Sequence, residues 1–160
     1  MLIRHKKLDF HLRPVSISDC ELLFGWVNEP EVRKNSFDSK PIEWKNHLVW
    51  FENKIKDKNS IILILESEKK PIGQIRFDKE NKTKTYRIDF SVDARYRGKG
   101  LGNHIIKLGC EYLENQLLKN KISLIGEVKT ENIASQKSFL SNGFKINSKG
   151  SNKIVFEKNI

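Results

Sequence analysis

Arg95-Tyr96-Arg97-Gly98-Lys99-Gly100-Leu101-Gly102-Asn103 is the stretch on which the reading of this chain turns. Before it, Thr85 to Val92 alternates like a strand: Tyr86, Ile88, Phe90 and Val92 share one face, and Arg87, Asp89 and Ser91 share the other. After it, Leu101 to about Leu118 carries apolar residues at helical spacing. Glycine permits positive φ and close backbone approach, and the first turn of a helix offers unpaired N–H groups at the positive end of its dipole. A glycine turn running from strand into helix is therefore an anion cradle. Arg95, Arg97 and Lys99 add side-chain charge of the kind a pyrophosphate attracts. Two familiar phosphate loops do not fit. Gly98-Lys99 is followed by Gly100 rather than Ser or Thr, and Gly98, Gly100 and Gly102 space as GxGxG rather than GxGxxG.

Outward from the loop, the rest of the chain falls into alternating elements. On the amino-terminal side, the periodicity predicts a strand from Leu8 to Arg13, a helix capped by Ser18 and ending near Asn28 and Pro30, and a helix from Ile42 to about Lys56. Ile61 to Leu65 is a five-residue apolar run of the buried-strand type, and Ile72 to Phe77 alternates as its partner. On the carboxy-terminal side, Ile122 to Val128 is a strand, Ile133 to Leu140 a short helix ended by Asn142-Gly143, and Phe144 to Asn147 and Lys153 to Glu157 a closing hairpin. The order is β-α-α-β-β-β-α-β-α-β-β, an α/β layout with a mixed sheet of six to seven strands and four helices.

At 160 residues and without repeats or linkers, the chain is expected to form one domain spanning residues 1–160. No apolar run approaches the ~20 residues of a membrane span, and the opening residues are too polar for a signal peptide, so a cytoplasmic location is expected. Thirty Lys and Arg against 20 Asp and Glu give a net charge of +10, which favours anionic ligands without choosing among them. A basic nucleic-acid module is the rival of another class. Its motifs are missing, however, and the aromatics sit at core-like spacing rather than among the cations. Cys20 and Cys110 have neither disulfide-framework nor zinc spacing, so both are expected to be reduced thiols and no metal is expected.

Arg97, Gly100 and Gly102 fill the acetyl-CoA loop pattern of the GNAT superfamily of N-acetyltransferases, which Val92 to Gly102 resembles. Asn132-Ile133-Ala134-Ser135, Ser138-Phe139 and Asn142-Gly143-Phe144 resemble that family's second shared block, and the element order is also the family's. The resemblance implies that the backbone from Arg97 through Gly98, Lys99, Gly100, Leu101 and Gly102 to Asn103 holds the CoA pyrophosphate. It also implies that Ser91 and Val92 pair with the pantetheine arm, that Asn132 bonds that arm, and that an acceptor amine attacks the thioester where two strands part. Glu127 and Asp89 are the candidate bases. Many family members have a Tyr acid where this chain has Phe139, which cannot donate a proton, so no acid is assigned.

Trp26-Val27-Asn28-Glu29-Pro30-Glu31-Val32-Arg33-Lys34-Asn35-Ser36 lies where the family's acceptor loop lies. Trp26, Asn28, Arg33 and Ser36 are candidate acceptor contacts, the alternative for Trp26 being core packing. The stretch, with His47-Leu48-Val49-Trp50-Phe51, is similar to the subgroup that acetylates the 4-amino group of a UDP-linked amino sugar in pseudaminic acid synthesis. His47 is accordingly a candidate acceptor contact or base, its alternative being a packed, satisfied side chain. Leu12-Arg13-Pro14 with Asp19-Cys20-Glu21-Leu22-Leu23 is similar instead to the ribosomal-protein N-acetyltransferases. The expected partners are acetyl-CoA and a nucleotide-linked amino sugar, with neither membrane nor nucleic acid; a homodimer is left open.

Overall fold

The computed structural model describes residues 9–117 and 120–160. Seven strands form one sheet in the order β1-β2-β3-β4-β5-β7-β6. They are β1 (Phe10–Pro14), β2 (Ser60–Ser67), β3 (Lys70–Lys79), β4 (Thr85–Val92), β5 (Ser123–Lys129), β6 (Lys145–Lys149) and β7 (Lys153–Asn159). Every neighbouring pair is antiparallel except β4 and β5. The helices are α1 (Cys20–Val27), α2 (Pro30–Asn35), α3 (Trp44–Lys54), α4 (Leu101–Gln116) and α5 (Ile133–Ser141).

The apolar run of β2 divides by strict alternation between two cores, which explains why it is continuous rather than half polar. Leu63 and Leu65 pack with Ile75, Phe77, Ile105, Ile106 and other residues beneath α4 and α5. Ile62 and Ile64 pack on the opposite face with Leu23, Trp26 and Phe51 of α1 and α3. The sheet is thus a middle layer between two helical layers. Joining parallel strands requires a crossover, which α4 supplies from the end of β4. Its N-terminus consequently lies at the carboxyl end of β4, beside the glycine turn.

Among the described residues there are five α-helices where four helices were expected. The segment read as the end of one helix followed by a loop contains α2: Pro30 presets φ at its first position, and the Glu29 side chain accepts from the Val32 amide at 3.3 Å. Ser18 is not the cap of α1. Ser16 opens a 3-10 turn (Ile17–Asp19), and its amide donates to Asp19 Oδ2 at 2.7 Å. The other elements stand within a few residues of their expected bounds; Leu8 and Leu118 lie outside the described residues. Cys20 and Cys110 are free and buried, and burial pushes the Cys110 thiol up to about 11. Among the described residues, no helix is long and apolar enough to cross a membrane.

One contact decides how the sheet opens. β4 and β5 pair from Thr85↔Ser123 to Ile88↔Gly126 and then separate, β4 staying with β3 as far as Val92 and β5 with β7 as far as Lys129. Phe139 of α5 lies against Gly126 so closely that a Cβ there would stand 2.3 Å from its Cζ. The ring also meets Phe90 edge-on at 5.7 Å and stacks on Phe156 at 5.4 Å. Gly126→Ala is expected to destabilise the protein by about 1–3 kcal/mol through overpacking against a ring that has no free direction, measurable as a lower urea midpoint at unchanged m-value.

Candidate active site

Two cavities meet where β4 and β5 part. The first, about 520 Å³, runs between the glycine turn, the free edge of β4 and α5, and its walls include Ser91, Val92, Gly100, Asn103, Ser135 and Phe139. The second, about 410 Å³, lies on the other face of the sheet, walled by α1, α2 and α3. Val32, Ser36, Asp89, Phe90 and Ser91 border both. A group bound in one cavity is therefore reached from the other past the end of β4.

The backbone of β4 supplies unpaired polar groups at this junction. The Asp93 amide donates to the Ile72 carbonyl at 2.8 Å, and β3 and β4 run in unbroken register from Gly73↔Val92 to Lys79↔Tyr86. Antiparallel alternation then turns the amides of Asp89 and Ser91 toward β3 and those of Phe90 and Val92 toward the gap left by β5. Arg97 Nε takes up the Val92 carbonyl at 3.0 Å. The remaining edge suits an extended chain that adds itself like a strand.

The glycine turn fits a pyrophosphate. Gly98 and Gly100 both have φ of +74°, which glycine adopts without strain, and a side-chain carbon built at either finds no atom within 4 Å, so the turn faces open space. Gly100 is the N-cap of α4 and makes no side-chain contact there, which leaves the first amides of a 16-residue helix available to an anion. Gly102 has a different role: a Cβ there would meet Ser138 Oγ at 3.0 Å and Phe90 Cε2 at 3.3 Å, so its lack of a side chain lets α4 approach α5 and β4. Gly98, Leu101 and Asn103 also border the cavity. Lys99 does not; its Nζ lies over the Tyr96 ring at 5.8 Å, with Arg95 against the same ring at 5.7 Å. Asn132 borders the cavity as the N-cap of α5, accepting from the Ser135 amide at 3.2 Å and donating to Ser135 Oγ at 2.9 Å. That capping occupies much of the hydrogen-bonding capacity expected to serve the pantetheine arm.

Arg97 is a brace as well as a cation. While Nε holds Val92, Nη2 donates to Glu29 Oε2 in a short ion pair, and the same carboxylate oxygen caps α2. The guanidinium holds the Glu29 carboxyl below the usual carboxylate range against the opposing effect of burial. A second tie runs parallel to it: Trp26 Nε1–H donates to Asp93 Oδ2 at 2.9 Å, and Asp93 also takes Arg95 Nη2 at 2.8 Å. Arg95 keeps the Asp93 carboxyl far below its ordinary value, with burial opposing and Trp26 assisting.

The two candidate bases differ in freedom. Glu127 is ion-paired on both oxygens, to Arg87 Nη1 at 2.7 Å and Lys153 Nζ at 3.2 Å. Burial pushes its carboxyl up, but those two cations prevail and leave it lowered, the wrong direction for a base. Asp89 borders both cavities with its side chain 55% exposed, held by Gln74 Nε2 at 3.0 Å and, loosely, by Arg76 at 3.7 Å.

On the acceptor side, the structure shows how each candidate side chain is engaged: Trp26, Arg33, Ser36 and His47 border the second cavity, and Asn28 does not. Trp26 is 7% exposed with its indole N–H engaged, so it is a core residue bordering the second cavity rather than a stacking platform. Asn28 is spent on the Ile42 backbone, donating to its carbonyl at 2.8 Å and accepting from its amide at 2.7 Å. Arg33 folds the chain after α2, with bonds to the carbonyls of Val27 at 2.6 Å, Asp38 at 3.0 Å and Lys40 at 3.1 Å and to Ser36 Oγ at 3.0 Å. Ser36 donates onward to the Val32 carbonyl at 2.7 Å, although it still borders both cavities. His47 is 3% exposed, and its Nε2 stands 2.9 Å from the Cys20 carbonyl. A carbonyl only accepts, so Nε2 carries the proton; burial lowers the ring's pKa against that bond, making it a neutral, satisfied wall residue.

Sequence reasoning missed Glu29, Trp50, Gln74, Arg76 and Asp93 as parts of the site. Gln74 and Arg76 oppose Ser91 and Asp89 across the β3–β4 ladder, and no local pattern carries that register. The Glu29-Pro30 pair did carry a signal, a capping acid before a first-turn proline.

Three comparisons bear on this geometry. A family model for the acetyltransferase (GNAT) domain matches residues 9–145. A comparison with curated proteins finds no match. Among solved structures, a domain from Methanocaldococcus jannaschii superposes with a TM-score of 0.83 at 25% identity, covering 96% of this chain and all of that one. A spermidine N-acetyltransferase from Vibrio cholerae in complex with CoA and spermine gives 0.79 at 18% identity, covering 94% of each chain. The aminoglycoside acetyltransferase AAC(6')-Ib in complex with coenzyme A and kanamycin gives 0.78 at 16% identity, also covering 94% of each. The two latter likenesses are of fold.

The state of His47 has a measurable consequence. Its native pKa lies below the unfolded value of 6.5, so unfolding takes up a proton once the pH falls beneath that value, and the stability it contributes is present above pH 6.5 and lost below it. The melting temperature is expected to fall as pH drops through this window, before the carboxylates titrate. In His47→Gln, which keeps a donor for Cys20 but cannot titrate, the decline is expected to be shallower.

Proposed function

Since the chain belongs to the GNAT acetyltransferase family and is an acetyl-CoA-dependent N-acetyltransferase of amines, we propose that its acceptor is the 4-amino group of a nucleotide-linked amino sugar. Asp89 is the proposed base, and the observation that carries the assignment is its position. It is a half-exposed carboxylate on the border of both cavities, whereas Glu127 is held by two cations. The walls of the second cavity, largely apolar with Trp50 among them and Ser36 at the border, suit a sugar ring better than a charged chain.

In this reading, Arg97 to Asn103 hold the pyrophosphate of the co-substrate with backbone amides, and the edge at Ser91 and Val92 holds its pantetheine arm. The acceptor amine, unprotonated, forms its C–N bond at the thioester carbonyl, and the surplus amine proton passes to Asp89. The Val92 amide, facing the gap, stabilises the negative charge that develops on the carbonyl oxygen. The C–S bond then breaks, and the thiolate leaves and takes up a proton. Phe139 cannot supply that proton; a thiolate tolerates its absence better than an alkoxide would.

Two measurements test the assignment. Acetyl-CoA is expected to raise the melting temperature of the wild type, and Gly100→Val to abolish the rise while the fold persists, since a branched residue at this positive φ costs about 1–2 kcal/mol and fills the cradle. Asp89→Asn is expected to lower kcat by about 10²–10⁴-fold with the acetyl-CoA shift retained. If Asp89→Asn retains full kcat while Glu127→Gln loses it, the base is Glu127.

A further inference from the structure

The second cavity carries very little negative charge, and this bears on which amines it admits. Among its described walls, the charged residues are Arg33, Arg76 and Asp89. Arg76 is offset by Asp78 at 2.7 Å and Asp89 at 3.7 Å. Arg33, by contrast, bonds only main-chain carbonyls and a serine hydroxyl, so its positive charge has no carboxylate on it in these bonds. His47 is neutral, and Leu23, Val27, Ile42, Trp50 and Phe90 make much of the remaining wall apolar. The one carboxylate stands at the end nearest the thioester gap, where a single ammonium would approach.

We infer that this cavity selects acceptors bearing one amine on a neutral or anionic body and discriminates against polycations such as polyamines and aminoglycosides. The inference rests on the assignment of this cavity to the acceptor and deepens it. A second and third ammonium would leave water for apolar walls and the field of Arg33, with no counter-charge to meet them. A neutral sugar ring loses little there, and a phosphate-bearing tail is attracted by the basic surface.

The test is an initial-rate panel read by CoA thiol release, using a UDP-linked 4-amino sugar, a lysine-free tetrapeptide with a free amino terminus, spermidine and kanamycin at equal concentration. One of the single-amine acceptors is expected to exceed both polycations in kcat/KM by at least about tenfold, the order expected of uncompensated like charge. Asn46→Asp, which adds a carboxylate to the same cavity, is expected to move the ratio toward spermidine. Spermidine or kanamycin matching or exceeding both single-amine acceptors overturns the inference and leaves the acetyltransferase standing, as does an unmoved ratio in Asn46→Asp. Thiol release with none of the four, in protein that acetyl-CoA still stabilises, overturns the acceptor assignment and this inference with it. The peptide outpacing the sugar supports charge selection and removes the sugar.

Discussion

The architecture depends on the point at which β4 and β5 stop pairing. They are the sheet's parallel neighbours, joined over the four pairs that end at Ile88 and Gly126, and each then follows a different partner. A parallel pair forces the connecting chain across one face of the sheet, and this places the N-terminus of α4 beside the carboxyl end of β4. The parting leaves the main chain of Phe90 and Val92 facing the gap and lets Asp89 border cavities on both faces. Phe139 holds the opening, packed against Gly126 of one strand and Phe90 of the other. Phe139, which has no phenolic hydroxyl, thus has a packing role at this place.

Charges around the gap tie its walls together. Arg97 joins the glycine turn to the last carbonyl of β4 and to Glu29, which caps α2; Trp26 and Asp93 link α1 to the same turn. Removing one partner of such a pair strands the other's charge in a partly buried place, a larger penalty than loss of a surface ion pair. The helical wall of the second cavity and the glycine turn therefore share their supports. The general positive charge of the chain and the local charge at the glycine turn are separate matters: Lys99 rests on an aromatic ring, and Arg95 and Arg97 are committed to carboxylates, so what the turn itself leaves open is chiefly backbone amides and the positive end of the α4 dipole.

Much of this was legible beforehand because it is local. Alternation in Thr85 to Val92, the glycine turn and the apolar spacing of α4 follow from conformational preferences of neighbouring residues, and the order of elements along the chain is read from such local signals. α2 was missed because a six-residue helix lacks the length for a periodic signal. How each candidate acceptor residue is used was not legible for a different reason. A polar side chain after a helix looks the same in sequence whether it faces a ligand or closes the loop on itself, and Asn28 does the latter while Arg33 closes the loop and still borders the second cavity.

By itself, then, the chain determined its element order, its glycine turn between β4 and α4 and its family, since these depend on residues within a few positions of one another. The tertiary structure alone decided which carboxylate is the more exposed, which cations are spent and where the two cavities meet. Those outcomes hang on contacts such as Glu29 with Arg97 and Trp26 with Asp93, 68 and 67 residues apart, and on the register that sets Arg76 opposite Asp89. A side chain's availability for chemistry is what its neighbours leave over, and those neighbours are assembled only by folding.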